Sequence, residues 1–307
     1  MNRVQINRRI VGADLGAGLT LGLESIPDAM ASAVLAGVNP IHGLYAVMLS
    51  TPVGALFTSS AFMSVQTTSA MSLLVASTGF VRGENSMVVL ATMALLTGIF
   101  MLILGLFKMG SLVRFVPYSV MTGFINGVAV LIILGQLGGF TGYSSPASNK
   151  LVQTIDLVLN FNQFDLASLA VGVVTILLIV LLKDSRIKKF SLVVALLLAS
   201  ALVRLFNWDS VLQVKDISEI PSALPVPILP DLRLIPALII PAFSLAIVGL
   251  VQGAGVSQNY ANPDGSYPDA SRDFAGQGVA NLAAGVFRGM PVGGSLSATA
   301  LLVSSGA

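Results

Sequence analysis

The sequence predicts an all-α membrane protein built on an inverted repeat, in which two discontinuous half-helices each follow a short extended segment and the second repeat is incomplete. Three observations point there. Apolar residues make up 55% of the 307 residues and charged residues 10%, and the mean hydropathy is +0.88, a composition that no soluble domain of this length sustains. Apolar stretches also recur near the ~20-residue length that a bilayer span needs. Finally, two segments open with hydroxyl-bearing and small residues and turn apolar only later: TSSAFMSVQTTSAMSLLVAS, and RGMPVGGSLSATALLVSSGA with its Pro-Val-Gly-Gly start.

Taken in order, the spans read as 14–36, 42–59, 66–80, 86–107, 117–139, 166–182, 190–205, 234–256 and 274–288, with a last one beginning near Ser295. MNRVQINRRI leads into the first span without a small-residue cleavage site, so that helix is expected to stay. The two interrupted segments read as an extended piece followed by a half-length helix. Such elements are tolerated at membrane depth only where they line a cavity, and a corresponding pair marks a transporter's binding site. Each follows two spans. Seven spans precede the eighth, which therefore starts from the opposite side of the membrane, so the second copy of an inverted repeat begins near Pro236. That copy stops one helix into its interrupted element, and the chain is expected to be a piece of a longer reading frame. Gly12 and Gly16, Gly18 and Gly22, and Gly123 and Gly127 have the small-xxx-small spacing of close helix packing.

The first span carries two acids, Glu24 and Asp28, with Pro27 between them. Four residues apart on a helix, they share a face. Like charges so close disfavour double ionisation, and Pro27 leaves the carbonyl of Leu23 without its helical donor. An ionisable group within a span is a functional candidate by default, and the three polar elements together read as a proton or small-cation site.

Charge is sparse but patterned. A net charge of +2 gives no reason to expect nucleic-acid binding. Arg3, Arg8 and Arg9 precede the first span, Lys108 and Arg114 follow the fourth, and Lys183, Arg186, Lys188 and Lys189 follow the sixth. With the N-terminus in the cytoplasm all three clusters satisfy the positive-inside rule, and the stretch around Lys215, Asp216 and Glu219 lies outside. A chain without cysteine has no disulfide, thiolate metal site or thiol catalysis, and its one histidine, His42, does not make a histidine-ligated metal centre. The loop NYANPDGSYPDASRD reads as a solvated connector.

Three segments resemble the sulfate permease (SulP) family of anion transporters. AGLTLGLESIPDAMASAVLAGVNPIHGLYA is similar to the family's first-helix signature, VPYSVMTGFINGVAVLIILGQL to its fifth helix, and SRDFAGQGVANLAAGVFRGMPVGGSLSATA to its run into the tenth. The resemblance implies fourteen segments in two inverted sevens, divided into a core and a gate domain that move in an elevator-like cycle. On this chain that division gives core helices 1–4 over residues 1–110, gate helices 5–7 over 111–232, and core helices 8–10 over 233–307. It implies an anion held between the N-termini of the third and tenth helices. Here the groups would come from Gln66, Thr67, Thr68 and Ser69 on one side and Ser295, Leu296 and Ser297 on the other, where free N–H groups and helix dipoles suit an anion.

The departures from the family pattern are specific. Asp28 stands where relatives usually have Gln, Glu24 replaces an apolar residue, Gln252 holds the place of an eighth-helix acid that handles the coupled cation, and Ala298 replaces an arginine. These swaps suggest that carboxylate chemistry has moved to the first helix. Glu24 and Asp28 would repel an anion until H⁺ or Na⁺ binds, while Gln252 only hydrogen-bonds. The expected function is therefore secondary active transport of a small anion (sulfate, bicarbonate or a dicarboxylate) by symport or exchange, in a multi-pass protein of the plasma (inner) membrane, a homodimer as relatives are, needing no cofactor beyond a coupled H⁺ or Na⁺. A nucleobase carrier of similar architecture is the alternative. An intramembrane aspartyl protease is remote, because it needs two Asp on facing helices, whereas Glu24 and Asp28 lie on one helix and the second span offers no acid.

Overall fold

The computed structural model describes residues 8–81, 85–111, 118–147, 150–185, 187, 190–217 and 223–307. Arg3, Arg114, Arg186, Lys188, Lys189 and Glu219 lie outside the described residues. Contacts divide the chain into two units, Met1–Thr122 with Ile220–Ala307, and Gly123–Glu219.

The first unit holds the two interrupted segments. α1 (Arg8–Leu35) runs unbroken through Pro27, and α2 (Pro40–Phe57) starts at a proline whose missing N–H would be unpaired there anyway, with the Asn39 side chain accepting from the Ile41 N–H. The first interrupted segment is a strand, β1 (Ser64–Gln66), followed by the nine-residue α3 (Ser69–Ser77). α4 (Ser86–Leu106) and α5 (Tyr118–Thr141, which passes into the second unit) follow. Past the second unit come α10 (Ile235–Asn259), α11 (Ala270–Val286), the strand β2 (Gly293–Ser295) and the nine-residue α12 (Leu296–Ser304). Both interrupted segments are thus an extended piece plus a half-helix, as the sequence predicts.

Van der Waals packing rather than water exclusion holds helices together in a bilayer, so backbones must come close. α4 and α11 do this through glycine. A Cβ on Gly98 would stand 2.7 Å from the Gly278 carbonyl oxygen, one on Gly105 2.6 Å from the Ala275 nitrogen, and one on Gly285 2.9 Å from the Ala91 oxygen. Met71, Leu90, Met93, Met101, Leu245 and Phe274 fill the core around this seam. The expectation that Gly12, Gly16, Gly18, Gly22, Gly123 and Gly127 pack helices is not met: among the described residues nothing lies within 4 Å of a Cβ at any of them. Spacing alone does not say which helix face meets a neighbour.

The second unit contains most of α5, then α6 (Lys150–Leu159), α7 (Leu166–Leu182), α8 (Ser191–Leu205) and the single turn α9 (Val214–Ile217). α6 has no counterpart among the sequence-read spans because its ten residues, KLVQTIDLVL, are too few and too polar to cross a bilayer. Across both units Pro40–Phe57, Ser86–Leu106 and Leu232–Asn259 are long and apolar enough to do so, and α7 and α8 are shorter apolar helices. The chain is a multi-pass integral membrane protein.

Candidate anion site

The site is built where the two extended pieces cross. β1 pairs antiparallel with β2 in the register Ser64↔Ser295, Val65↔Gly294 and Gln66↔Gly293. α2 fixes β1 by donating the Ser50 and Thr51 hydroxyls to the Val65 carbonyl, each at 3.0 Å. The Ser64 N–H donates to the Thr299 hydroxyl (3.2 Å), which donates to the Ser295 carbonyl (2.6 Å), so β1 is also tied to the first turn of α12. Thr68 is extended and caps α3, accepting from the Met71 N–H at 3.4 Å; Ser295 is extended and caps α12, accepting from the Ala298 N–H at 3.3 Å. Each half-helix leaves the strand pair at its own end. The pair therefore brings two helix N-termini to one crossing, each with N–H groups that lack intrahelical acceptors and about half a positive charge from its dipole.

Four buried oxygens near this crossing, Ser64 Oγ, Gln66 Oε1, Thr67 Oγ1 and Ser72 Oγ, have no hydrogen-bond partner among the described residues. A buried polar atom left so costs about 1–3 kcal/mol, which a polar ligand or water would recover. The residues read from sequence as anion-binding divide by role here. Ser69 is half-buried and Ser297 exposed at the opening, and Gln66 and Thr67 are buried behind them. The Thr68 hydroxyl donates to Gln252 Oε1 at 3.0 Å, so its proton is committed to a protein acceptor. Ser295 shares a 3.2 Å contact with the Ser297 hydroxyl while capping α12. Leu296 turns its side chain to α10, 3.6 Å from a Cβ built on Gly255, which leaves only its N–H for a ligand.

Of the residues read as cation-coupling, Gln252 lies at the crossing, its Oε1 3.6 Å from a Cβ built on Gly293. Glu24 is half-buried and Asp28 exposed on α1, which runs beside α2, α3 and α12. Neither acid makes a hydrogen bond or ion pair with a described residue, so the structure sets the pair on a neighbouring helix without bonding it to the crossing.

Sequence reasoning missed the frame behind the crossing. Asp273, Gln277 and Asn281 recur every four residues along one face of α11, at 1%, 1% and 0% exposure. Gln277 Oε1 accepts from the Gly294 N–H (2.9 Å); Asn281 donates to the Val292 carbonyl (2.7 Å) and accepts from the Val292 N–H (2.9 Å). Asp273 Oδ1 accepts from the N–H groups of Ser59 (2.6 Å) and Ser60 (3.0 Å) and from the Ser59 hydroxyl (2.7 Å), and Oδ2 lies 2.6 Å from the Ser257 hydroxyl. This corrects the reading of NYANPDGSYPDASRD as wholly solvated. α11 begins at Ala270, capped by Asp269, so Asp273 falls inside the helix and under the core. The i, i+4, i+8 spacing of Asp, Gln and Asn was the available signal.

The sulfate permease family profile matches residues 12–307. The chain is 31% identical over 302 residues to the probable sulfate transporter 4.2 of Arabidopsis thaliana, covering 94% of this chain and 44% of that protein. It is 29% identical over 304 residues to the putative sulfate transporter YvdB of Bacillus subtilis, covering 96% and 56%. With the bicarbonate transporter BicA of Picosynechococcus it shares 25% identity over 312 residues, covering 98% and 55%. The chain thus spans about half the length of the curated relatives it matches. Among solved structures, the transmembrane domain of a cyanobacterial BicA superposes with a TM-score of 0.83 at 23% identity over 98% of this chain and 79% of that one. SLC26A9 superposes with a TM-score of 0.83 at 22% identity over 97% and 51%. With its profile match nearly end to end and the fold shared, this chain belongs to the sulfate permease family.

Proposed function

We propose that the protein is a secondary active transporter of a small anion (sulfate, bicarbonate or a dicarboxylate), which it holds at the β1/β2 crossing by the N-termini of α3 and α12. The observation that carries the reading is the crossing itself: two half-helix N-termini brought together, with Ser64, Gln66 and Thr67 buried beside them and their oxygens unpartnered. Family membership supports an elevator-like cycle, with the helices of residues 1–110 and 233–307 as a core moving against a gate over 111–232, and a homodimer. The basic clusters support a cytoplasmic N-terminus in the inner membrane. Glu24 and Asp28 fit a coupling role on α1: H⁺ or Na⁺ bound there lifts their repulsion of the incoming anion.

The test places a fixed negative charge at each helix start. Asp is favourable in a first helical turn, so Ser69→Asp and Ser297→Asp leave the fold intact while competing with the anion for the same N–H groups. In proteoliposomes of the full-length protein, uptake of labelled sulfate, bicarbonate or oxalate is expected to fall at least tenfold in each variant. Unchanged uptake of the transported anion in both variants removes the crossing as its site.

A further inference from the structure

We infer that Asp273 is a positioning residue of the anion site, acting through the hydrogen bonds it accepts rather than through its charge. The inference rests on the reading of the crossing as the anion site and adds what holds that site in register. The carboxylate is fully buried, and no ion pair to it comes from a described residue. What faces it are N–H and hydroxyl donors. Three converge on Oδ1 from the Ser59–Ser60 turn, four residues before β1, and the Ser257 hydroxyl meets Oδ2.

One and two turns further along the same face of α11, Gln277 and Asn281 hold β2 and its approach through Gly294 and Val292. Eight residues of helix separate the outer two rungs, about 12 Å of rigid rod. A single helix thus fixes where both extended pieces start, and so fixes the register Ser64↔Ser295 on which the meeting of the two N-termini depends. Glycine makes room for the middle rung: a Cβ on Gly253 would overlap Gln277 Nε2.

The chemistry separates position from charge. The Ser257 hydroxyl has one proton and two acceptors in reach, Asp273 Oδ2 at 2.6 Å and the Gly253 carbonyl at 3.0 Å. Asp273→Asn can therefore keep every bond: its Oδ1 accepts from Ser59 and Ser60, and its NH₂ donates to a Ser257 hydroxyl whose proton rests on Gly253. Asp273→Ala takes the acceptor from the buried Ser60 N–H and the half-buried Ser59 N–H. Gln277→Leu removes the acceptor of the Gly294 N–H.

The three variants of the full-length protein are measured for uptake of the transported anion against its concentration, with thermal unfolding in detergent as the fold control. Asp273→Asn is expected within threefold of the wild-type half-saturating concentration. Gln277→Leu, and Asp273→Ala where it folds, are expected to raise that concentration at least tenfold with a smaller change in maximal rate. An Asp273→Asn protein that unfolds like wild type yet no longer transports overturns the inference, because charge then matters. A wild-type half-saturating concentration in Gln277→Leu overturns it as well. If instead Ser69→Asp and Ser297→Asp transport normally, it is the location of the anion site that has failed.

A different observation supports a second inference: we propose that α6 lies in the membrane interface with its apolar face against lipid. Its amphipathicity runs opposite to that of a helix covering a core. Val152, Ile155, Val158 and Leu159 are 51–73% exposed. Its polar groups turn toward the unit's own chain: the Tyr143 hydroxyl donates to Asp156, Gln153 donates to the Ala147 carbonyl, and Asn160 donates to Asp156. At ten residues the helix spans about 15 Å, half of a bilayer core. Its apolar face continues onto Phe161 and Leu166, at the start of the apolar helix α7. A bilayer is the partner that fits a short helix with one bare apolar face on a membrane protein. Trp208 is the one tryptophan of these 307 residues, so with Trp208→Phe, and any tryptophan beyond residue 307 likewise changed to Phe, Ile155→Trp reports from α6 alone. In proteoliposomes of the full-length protein, lipids brominated near the glycerol end of the acyl chain are expected to quench this tryptophan and iodide to leave it bright. Quenching by iodide and not by lipid shows a solvent-facing helix, and quenching by neither shows a face covered by protein; either result overturns the proposal.

Discussion

At the start of α7, the carboxylate of Asp165 accepts from the Ser168 hydroxyl (2.6 Å) and N–H (2.8 Å) and from the Ser210 hydroxyl (3.0 Å). These donors, the Ser168 hydroxyl foremost, hold its pKa below the ordinary aspartate value. A carboxylate depressed in the folded state adds stability that is fully present above its unfolded pKa, about 3.9, and is lost as pH falls through the folded value. Asp165 is the N-cap of α7, and losing a cap costs about 1 kcal/mol, so Asp165→Ala is expected to lower stability by about that much at pH 7 and the difference from wild type to shrink in strong acid, read as unfolding midpoints across pH. A constant difference at all pH values would assign the loss to packing. Residue-scale roles of this kind were only partly legible. The caps at Thr68 and Ser295 follow from hydroxyls placed just before apolar runs. Asp273 did not, because sequence places it beside a polar loop and only the fold brings Ser59, Ser60 and Ser257 round it.

Between elements, the seam of α4 and α11 is decided by glycine. Gly98→Val puts a branched side chain where the Gly278 carbonyl oxygen stands 2.7 Å from the first added carbon. Backbone cannot yield as a flexible side chain does, so the expected loss is about 1–3 kcal/mol or more, measured as a lower unfolding temperature in detergent. The same change at Gly18, which meets nothing within 4 Å, is expected to be near neutral. Equal losses at both sites would mean that valine's helix propensity, not the seam, sets the cost. Helix positions were readable from hydropathy because long apolar runs favour buried or lipid-facing helices, and Pro40–Phe57, Ser86–Leu106 and Leu232–Asn259 are long and apolar enough to cross a bilayer. The two half-helices were readable because hydroxyl and glycine residues interrupt them. Which glycines sit at an interface was not readable, since small-xxx-small spacing is shared by faces that pack and faces that do not. α6 escaped because ten half-polar residues carry no span signal.

For the molecule as a whole, the proposed coupling requires that anion and cation bind together. The proposed anion site is made of backbone groups, which cannot be titrated, and the ionisable pair Glu24 and Asp28 stands on α1, beside α3 and α12 but bonded to neither among the described residues. Glu24→Gln with Asp28→Asn is therefore expected to leave anion binding intact and to abolish the dependence of uptake on imposed pH or Na⁺ gradients. If both dependences survive in the double variant, coupling lies elsewhere. Family and fold were legible from three separated motifs, whereas the choice of anion was not, because N–H donors and a dipole accept any small anion of suitable size.

The most direct measurement is a high-resolution map of the full-length protein saturated with the anion it transports fastest. Density is expected at the β1/β2 crossing, within about 3 Å of the N–H groups that open α3 and α12 near Ser69 and Ser297. An empty crossing at saturating anion, or the anion bound elsewhere, would contradict it.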